Sequence, residues 1–353
     1  MEGRRELARM GMEGNKHMNE IKLVGQAITS TNYATARIFN FDPEHVRDVG
    51  INFLAAGIPD IEVPDGVLDP DGKSKDKGVD EEAVRKSLAL LPKETKVVGT
   101  YIGPNQIGKN NEFFLTAMRQ RMDLLVKFFP HLVYAMIHPP AMKEIDEAGV
   151  KSVVKTWAEA AHYAASKKPE FQFCLHNHYD TCCETAPQVR MFLDALGEIN
   201  EPALRWGPDT GHCHGMNDEY LTIFEKYASL IGNHFHIKTR VAAFDQLHGG
   251  DKYRADRDIW GNKAEFGRGL YSGFVNCADP EIETPLKEVF AIIKAKARPV
   301  AKYITGAIEI DVPRQHPRLE AMCAALYLKQ VHGLSGRAMQ SVEQIVTGAF
   351  AGR

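Results

Sequence analysis

The sequence predicts a (β/α)8 barrel, an α/β fold in which eight parallel strands alternate with helices, and three observations predict it. Eight short, β-rich apolar runs are separated by longer stretches of helical period. The length of 353 residues suits one such barrel with insertions. No GxGxxG follows the first run, which argues against an open doubly wound sheet built around a dinucleotide. Right-handed crossovers leave few other ways to connect so many parallel strands.

The strands are read at 21–28, 60–64, 96–103, 132–138, 171–177, 203–209, 233–238 and 301–311. Helices fill the gaps. The stretch DPEHVRDVGINFLAAG opens on Asp42 as cap with Pro43 in the first turn and stops at Gly57, and NEFFLTAMRQRMDLLVKFFP stops before Pro130. Further helical stretches begin at DEEAVRK, VKSVVKT, APQVRMF, DEYLTIF, ETPLKEV and HPRLEAM. The barrel is expected over 21–335, after an N-terminal extension at 1–20 and before a helical tail at 336–353. Between strands seven and eight lies a long irregular stretch, roughly 240–280. Loops of that length inside a compact domain are usually binding loops or lids. Long barrel insertions also build subunit contacts, so a homo-oligomer or a small partner subunit is a second expectation for it.

Composition narrows the function. The hydrophobic fraction of 44% and charged fraction of 25% are those of an ordinary globular chain, and a net charge of -3 provides no field for a polyanion, so no nucleic-acid partner is expected. No stretch has the length of a membrane span, and the first twenty residues lack the apolar core of a signal peptide, so a cytoplasmic protein with no membrane partner is expected. The six cysteines, Cys174, Cys182, Cys183, Cys213, Cys277 and Cys323, show no CxxC spacing and read as reduced thiols.

The chemistry gathers at the C-terminal ends of the later strands. His176 and His178 stand at i and i+2 and so share one side of strand five. Strand six ends in PDTGHCH with Asp209 and His212, strand seven in HFHIKTR with His236 and Lys238, strand eight in IEID with Glu309 and Asp311. In a barrel these ends share one mouth. A single histidine is ordinarily structural, and His17, His45, His131, His162 and His332 are left so; His138, at the end of strand four, is left open. Carboxylates mixed with imidazoles suit Mn²⁺, Zn²⁺, Co²⁺ or Fe²⁺ better than Ca²⁺. Glu62, at the end of strand two, is read as a substrate-binding carboxylate. In the 240–280 stretch, Trp260 offers a flat apolar face to a sugar or aryl group and Arg240 a cation to a substrate oxygen.

The series LHNHYDTCCET, PDTGHCHGMNDEY, HFHIKTRV, FGRGL and IEIDVP resembles, in order and spacing, the motifs of the xylose-isomerase-like TIM barrel superfamily, nearest to the inosose dehydratase type and to related oxo-glycoside deglycosidases. The resemblance spans roughly 170–315 in motifs and the N-terminal third in architecture. It implies that Asp209, His236 and Glu309 bind a divalent ion, Mn²⁺ as first choice, with His212 beside it on the substrate. Many epimerases of the superfamily carry a glutamate, both ligand and base, where this chain has His176. With His176 as fourth ligand the opposed carboxylate pair is missing, which favours elimination over two-base epimerisation. The expectation is therefore a metal-dependent lyase that acts on a small-molecule keto-sugar, oxo-glycoside or keto-cyclitol, with His178 and His212 as base and acid and Lys238 on a substrate oxygen. Two alternatives stand behind it: an isomerase or epimerase using the same enediolate, and a metal-dependent phosphodiester hydrolase, which the charge balance opposes.

Overall fold

The structure, a computed structural model, describes residues 18–27, 43–68, 79–102, 111–140, 144–178, 181–214, 220–238, 286–309 and 317–338. Eight parallel strands form one sheet: β1 (Ile21–Gln26), β2 (Asp60–Pro64), β3 (Lys96–Ile102), β4 (Tyr134–Ile137), β5 (Gln172–Leu175), β6 (Leu204–Trp206), β7 (His234–Ile237) and β8 (Ile304–Ile308). Their order is β6-β5-β4-β3-β2-β1-β8-β7. Parallel bridges from Trp206 to Ile231 and from Asp209 to His236 join the two ends of that order, so the sheet closes on itself as a barrel.

Between the strands run α1 (Pro43–Ala55), α2 (Glu81–Leu88), α3 (Asn111–Phe128), α4 (Glu147–Lys167), α5 (Ala186–Ile199), the short α6 (Thr210–His214), α7 (Tyr220–Tyr227), α8 (Leu286–Lys296) and, after β8, α9 (Pro317–His332). Several are stopped and started by side chains. Asp80 caps α2 by accepting from the backbone N–H groups of Glu82 and Ala83, Asp146 caps α4 through Gly149, and Thr185 with Gln188 forms a capping box at α5. The predicted extension at 1–20 and tail at 336–353 fall almost wholly outside the described residues, as do Asp42, Arg240, Trp260, Asp311 and the 240–280 stretch.

Strand parity sorts the side chains into two layers. Outward residues such as Phe173, Leu175, Phe235 and Ile237 pack with the helices; Trp157 of α4, fully buried, meets Phe114 of α3 edge-on with ring centroids 4.8 Å apart and Phe173 at 5.6 Å. Inward residues form a second, smaller cluster of Val24, Val98, Tyr134, Cys174 and Ala307 that plugs the barrel below its mouth. Gly99 makes this plug fit: a Cβ there would fall 1.9 Å from the Tyr134 ring. No helix among the described residues is long and apolar enough to cross a membrane. Cys174, Cys182, Cys183 and Cys213 are buried, and burial pushes each thiol up from its ordinary range, which leaves them unreactive.

Candidate active site

The inward parity that builds the plug continues upward into the mouth. On β4 it runs Tyr134, Met136, His138; on β5 Cys174, His176, His178; on β7 His234, His236, Lys238. β4 and β5 therefore end by aiming polar side chains where apolar ones stood two residues earlier, and on β7 the polar series begins already at His234. Sequence reasoning passed over His234 and left His138 open. The two-residue parity that links Tyr134, Met136 and His138, and His234 with His236, was the signal for both.

Local hydrogen bonds hold these side chains. His176 Nδ1 donates to the Gly207 carbonyl oxygen at 3.3 Å, which turns Nε2 toward Asp209 Oδ2, 4.0 Å away. The His178 backbone N–H donates to the Cys183 carbonyl at 3.2 Å and its own carbonyl accepts from Thr181 Oγ1 at 2.6 Å, so His178 is tied to Thr181 and Cys183 through its backbone. Asn177, between them, faces outward and takes a hydrogen bond from Trp206 Nε1 at 3.2 Å. Asp209 does not end a strand as expected. β6 stops at Trp206, and Asp209 caps α6, with Oδ1 accepting the His212 backbone N–H at 2.8 Å. Its residue type at a helix start explains the difference. Gly211 in this turn admits Lys238, whose Cβ would lie 2.7 Å from a Cβ at 211.

Asp209 Oδ2 is the centre of the site. It is buried with no well-formed hydrogen bond, and three imidazole nitrogens stand around it: His236 Nδ1 at 3.8 Å, His212 Nε2 at 3.9 Å and His176 Nε2 at 4.0 Å. Glu309 pairs closely with His236 Nδ1. Lys238 Nζ lies 3.1 Å from Glu309 Oε2, 3.3 Å from Asp209 Oδ2 and 3.3 Å from His212 Nε2. Two ligand atoms each about 2.1 Å from one ion can be no more than about 4.2 Å apart, so these separations fit donors that share a divalent cation. Asp209, His236 and Glu309 form one such group, and His176, Asp209 and His212 another. The set of two carboxylates with imidazoles suits a borderline transition ion.

Charges at the site are set by burial and by neighbours. Burial, followed by the neighbouring His236, His138, His212 and His178, holds His176 neutral, and burial with the Lys238 ammonium does the same for His212. Burial with His178 as nearest charge also pushes His138 down. His236 behaves oppositely. Burial opposes its charge, but Glu309 and Glu62 outweigh burial and raise it to about 10. A metal ion at Nδ1 must therefore displace a proton, so affinity for the ion is expected to rise with pH.

The other predicted residues fall as follows. His178 faces His212 with ring centroids 4.5 Å apart and His138 at 4.7 Å, so β4, β5 and α6 supply one wall of imidazoles. Glu62, read as a substrate carboxylate, is fully buried beneath His236 and lies 3.3 Å from His236 Nε2 and 3.2 Å from His234 Nε2. Treatment of the purified protein with a chelator is expected to remove a stoichiometric transition metal and abolish turnover while the circular dichroism of the fold persists, because the candidate ligands line the mouth above an apolar plug.

No family model matches the chain, and no curated protein matches it in sequence. Solved structures do. A D-allulose 3-epimerase from Methylomonas sp. in complex with D-allulose aligns at a TM-score of 0.58 with 14% identity, over 88% of this chain and 97% of that one. A probable 3-DHS dehydratase from Bacillus anthracis aligns at 0.55 with 12% identity, over 88% and 99%. The IolI protein with a bound zinc atom aligns at 0.54 with 14% identity, over 94% and 99%. At such identities the likeness is one of fold. The chain has the fold of the xylose isomerase-like TIM barrel proteins.

Proposed function

We propose that this protein is a divalent-metal-dependent lyase acting on a keto-sugar, oxo-glycoside or keto-cyclitol by α-proton abstraction and β-elimination. The observation that carries the reading is the buried Asp209 oxygen ringed by three imidazole nitrogens at 3.8–4.0 Å, with Glu309 alongside. Asp209, His236 and Glu309, with His176 beside them, would hold a divalent ion, and that ion would supply Lewis-acid stabilisation of negative charge on a substrate oxygen. Mn²⁺ is the first choice, with Zn²⁺, Co²⁺ or Fe²⁺ as alternatives that the same donors accept.

The chain's own residues move the protons. His212, kept neutral by burial and by Lys238, is competent to accept the α-proton at Nε2. Lys238 turns its ammonium toward the same space and stabilises the oxygen that gains charge. The carbon left behind forms a double bond to its neighbour as the β C–O bond breaks, and the departing oxygen leaves with that electron pair. His178, facing His212 across 4.5 Å, is placed to protonate it. The products are an unsaturated ketone and water or an alcohol. A base on each face, as epimerisation requires, has less support: among the described residues the carboxylates of the histidine cluster are Glu62, Asp209 and Glu309, and all three are engaged by histidine.

The metal-loaded protein incubated with 3-oxo-glycosides and inososes in D₂O is expected to yield an unsaturated product and a released alcohol or water. Intact substrate or its epimer carrying solvent deuterium, with no eliminated product, would make the enzyme an epimerase and overturn the lyase assignment.

A further inference from the structure

Below the site just described, four inward side chains from four strands form a continuous chain that none of that chemistry uses. Thr305 of β8 donates its hydroxyl proton to the Asn233 carbonyl oxygen at 2.8 Å, so its oxygen receives the N–H of His234 Nδ1, also at 2.8 Å. With Nδ1–H committed to Thr305, His234 turns Nε2 toward Glu62 Oε2, 3.2 Å away, without a well-formed hydrogen bond. Glu62 also lies 3.3 Å from His236 Nε2, on the side of the imidazole opposite Asp209 and Glu309. His234 is itself held in place, its ring lying flat on Tyr134 with centroids 3.6 Å apart and planes 8° apart, and Tyr134 in turn fills the space that Gly99 leaves.

The geometry points to Glu62 as a positioning residue that fixes His236 as the Nε2–H tautomer, so that the Nδ1 lone pair faces Asp209 and Glu309 and the metal. The inference rests on the reading of those three residues as ligands. An imidazole has one lone pair to give, and whichever nitrogen is hydrogen-bonded to a carboxylate decides which remains. Glu62 is fully buried, as are His234 and His236, so no water competes for the bond. Thr305, His234 and Tyr134 hold Glu62 where it is, and through it the ring plane of His236. Glu62 thus belongs behind the metal, with no path to a substrate in the mouth: its two oxygens meet histidines.

The test uses Glu62→Gln and Glu62→Asp in the full-length protein, with Mn²⁺ or Co²⁺ as the probe. Metal affinity measured by competition with a chelator is expected to fall by about 10–100-fold in Glu62→Gln, the range for lost outer-sphere partners, and to recover in part in Glu62→Asp. The ¹⁵N shifts of the His236 ring in the zinc-loaded protein should show Nε2–H in the wild type and a mixed or altered state in Glu62→Gln. If the wild type binds no metal, the ligand reading fails and this one with it. If the wild type binds metal and Glu62→Gln binds it within about threefold, only the positioning role is overturned; a raised KM for the sugar in that variant would return Glu62 to substrate binding. A Glu62→Gln protein that does not fold leaves Glu62→Asp to decide: wild-type affinity and wild-type ring shifts with the shortened side chain overturn the role.

Discussion

Asp209→Asn is expected to lose most of its bound metal and nearly all of its turnover while staying folded. The carboxamide keeps Oδ1 as the cap that accepts the His212 backbone N–H, so α6 survives, but it removes the anionic oxygen around which His176, His212 and His236 are arranged. His236→Ala should do the same from the other side, since its Nδ1 stands between Asp209 and Glu309. Removal of a ligand costs no less than the roughly 10- to 100-fold that losing an outer-sphere partner costs. The weakening in each variant is therefore expected to exceed about tenfold, read by elemental analysis after dialysis and by chelator competition. Unchanged metal content in both variants would remove the basis of the site.

His212→Asn separates proton transfer from metal binding. Its backbone N–H still meets Asp209, and the side chain it loses is neutral and next to Lys238, so metal content should remain near that of the wild type. The rate constant kcat is expected to fall by about 10²- to 10⁴-fold, the contribution typical of a positioned acid or base. KM should change little, because substrate oxygens are held by other groups. A variant with normal kcat would assign proton abstraction elsewhere, with His178 and His138, which face one another at 4.7 Å, as the residues to examine next.

Much of this architecture was legible in the sequence because barrel strands are short, apolar and separated by capped helices. The run DIEVP predicts 60–64 and the strand is Asp60–Pro64; other strands are one to several residues shorter than their apolar runs, since inward polar residues extend the run past the last paired residue. The convergence of His176, His236 and Glu309 follows from strand-end position and closure of the barrel, and Asp209 joins them from the turn just past β6. What the sequence hid was partnership across distance. Glu62 and His236 are 174 residues apart, and nothing local tells a carboxylate that waits for substrate from one that orients a ligand. The turn after β6 was hidden for another reason. Asp-Thr-Gly-His carries an aspartate at a helix start, but its apolar prelude reads as strand, and only the hydrogen bond from His212 N to Asp209 shows that the chain has already turned.

The central claim, that this barrel mouth holds a catalytic transition metal between Asp209, His236 and Glu309, is tested most directly by anomalous diffraction from crystals of the active protein, recorded on both sides of the absorption edge of the metal found by elemental analysis. The account predicts an edge-dependent peak within about 2.0–2.3 Å of Asp209, His236 and Glu309 ligand atoms, with His176 on its open side. An active, diffracting protein with no such peak at the mouth, or with its metal bound elsewhere, would contradict it.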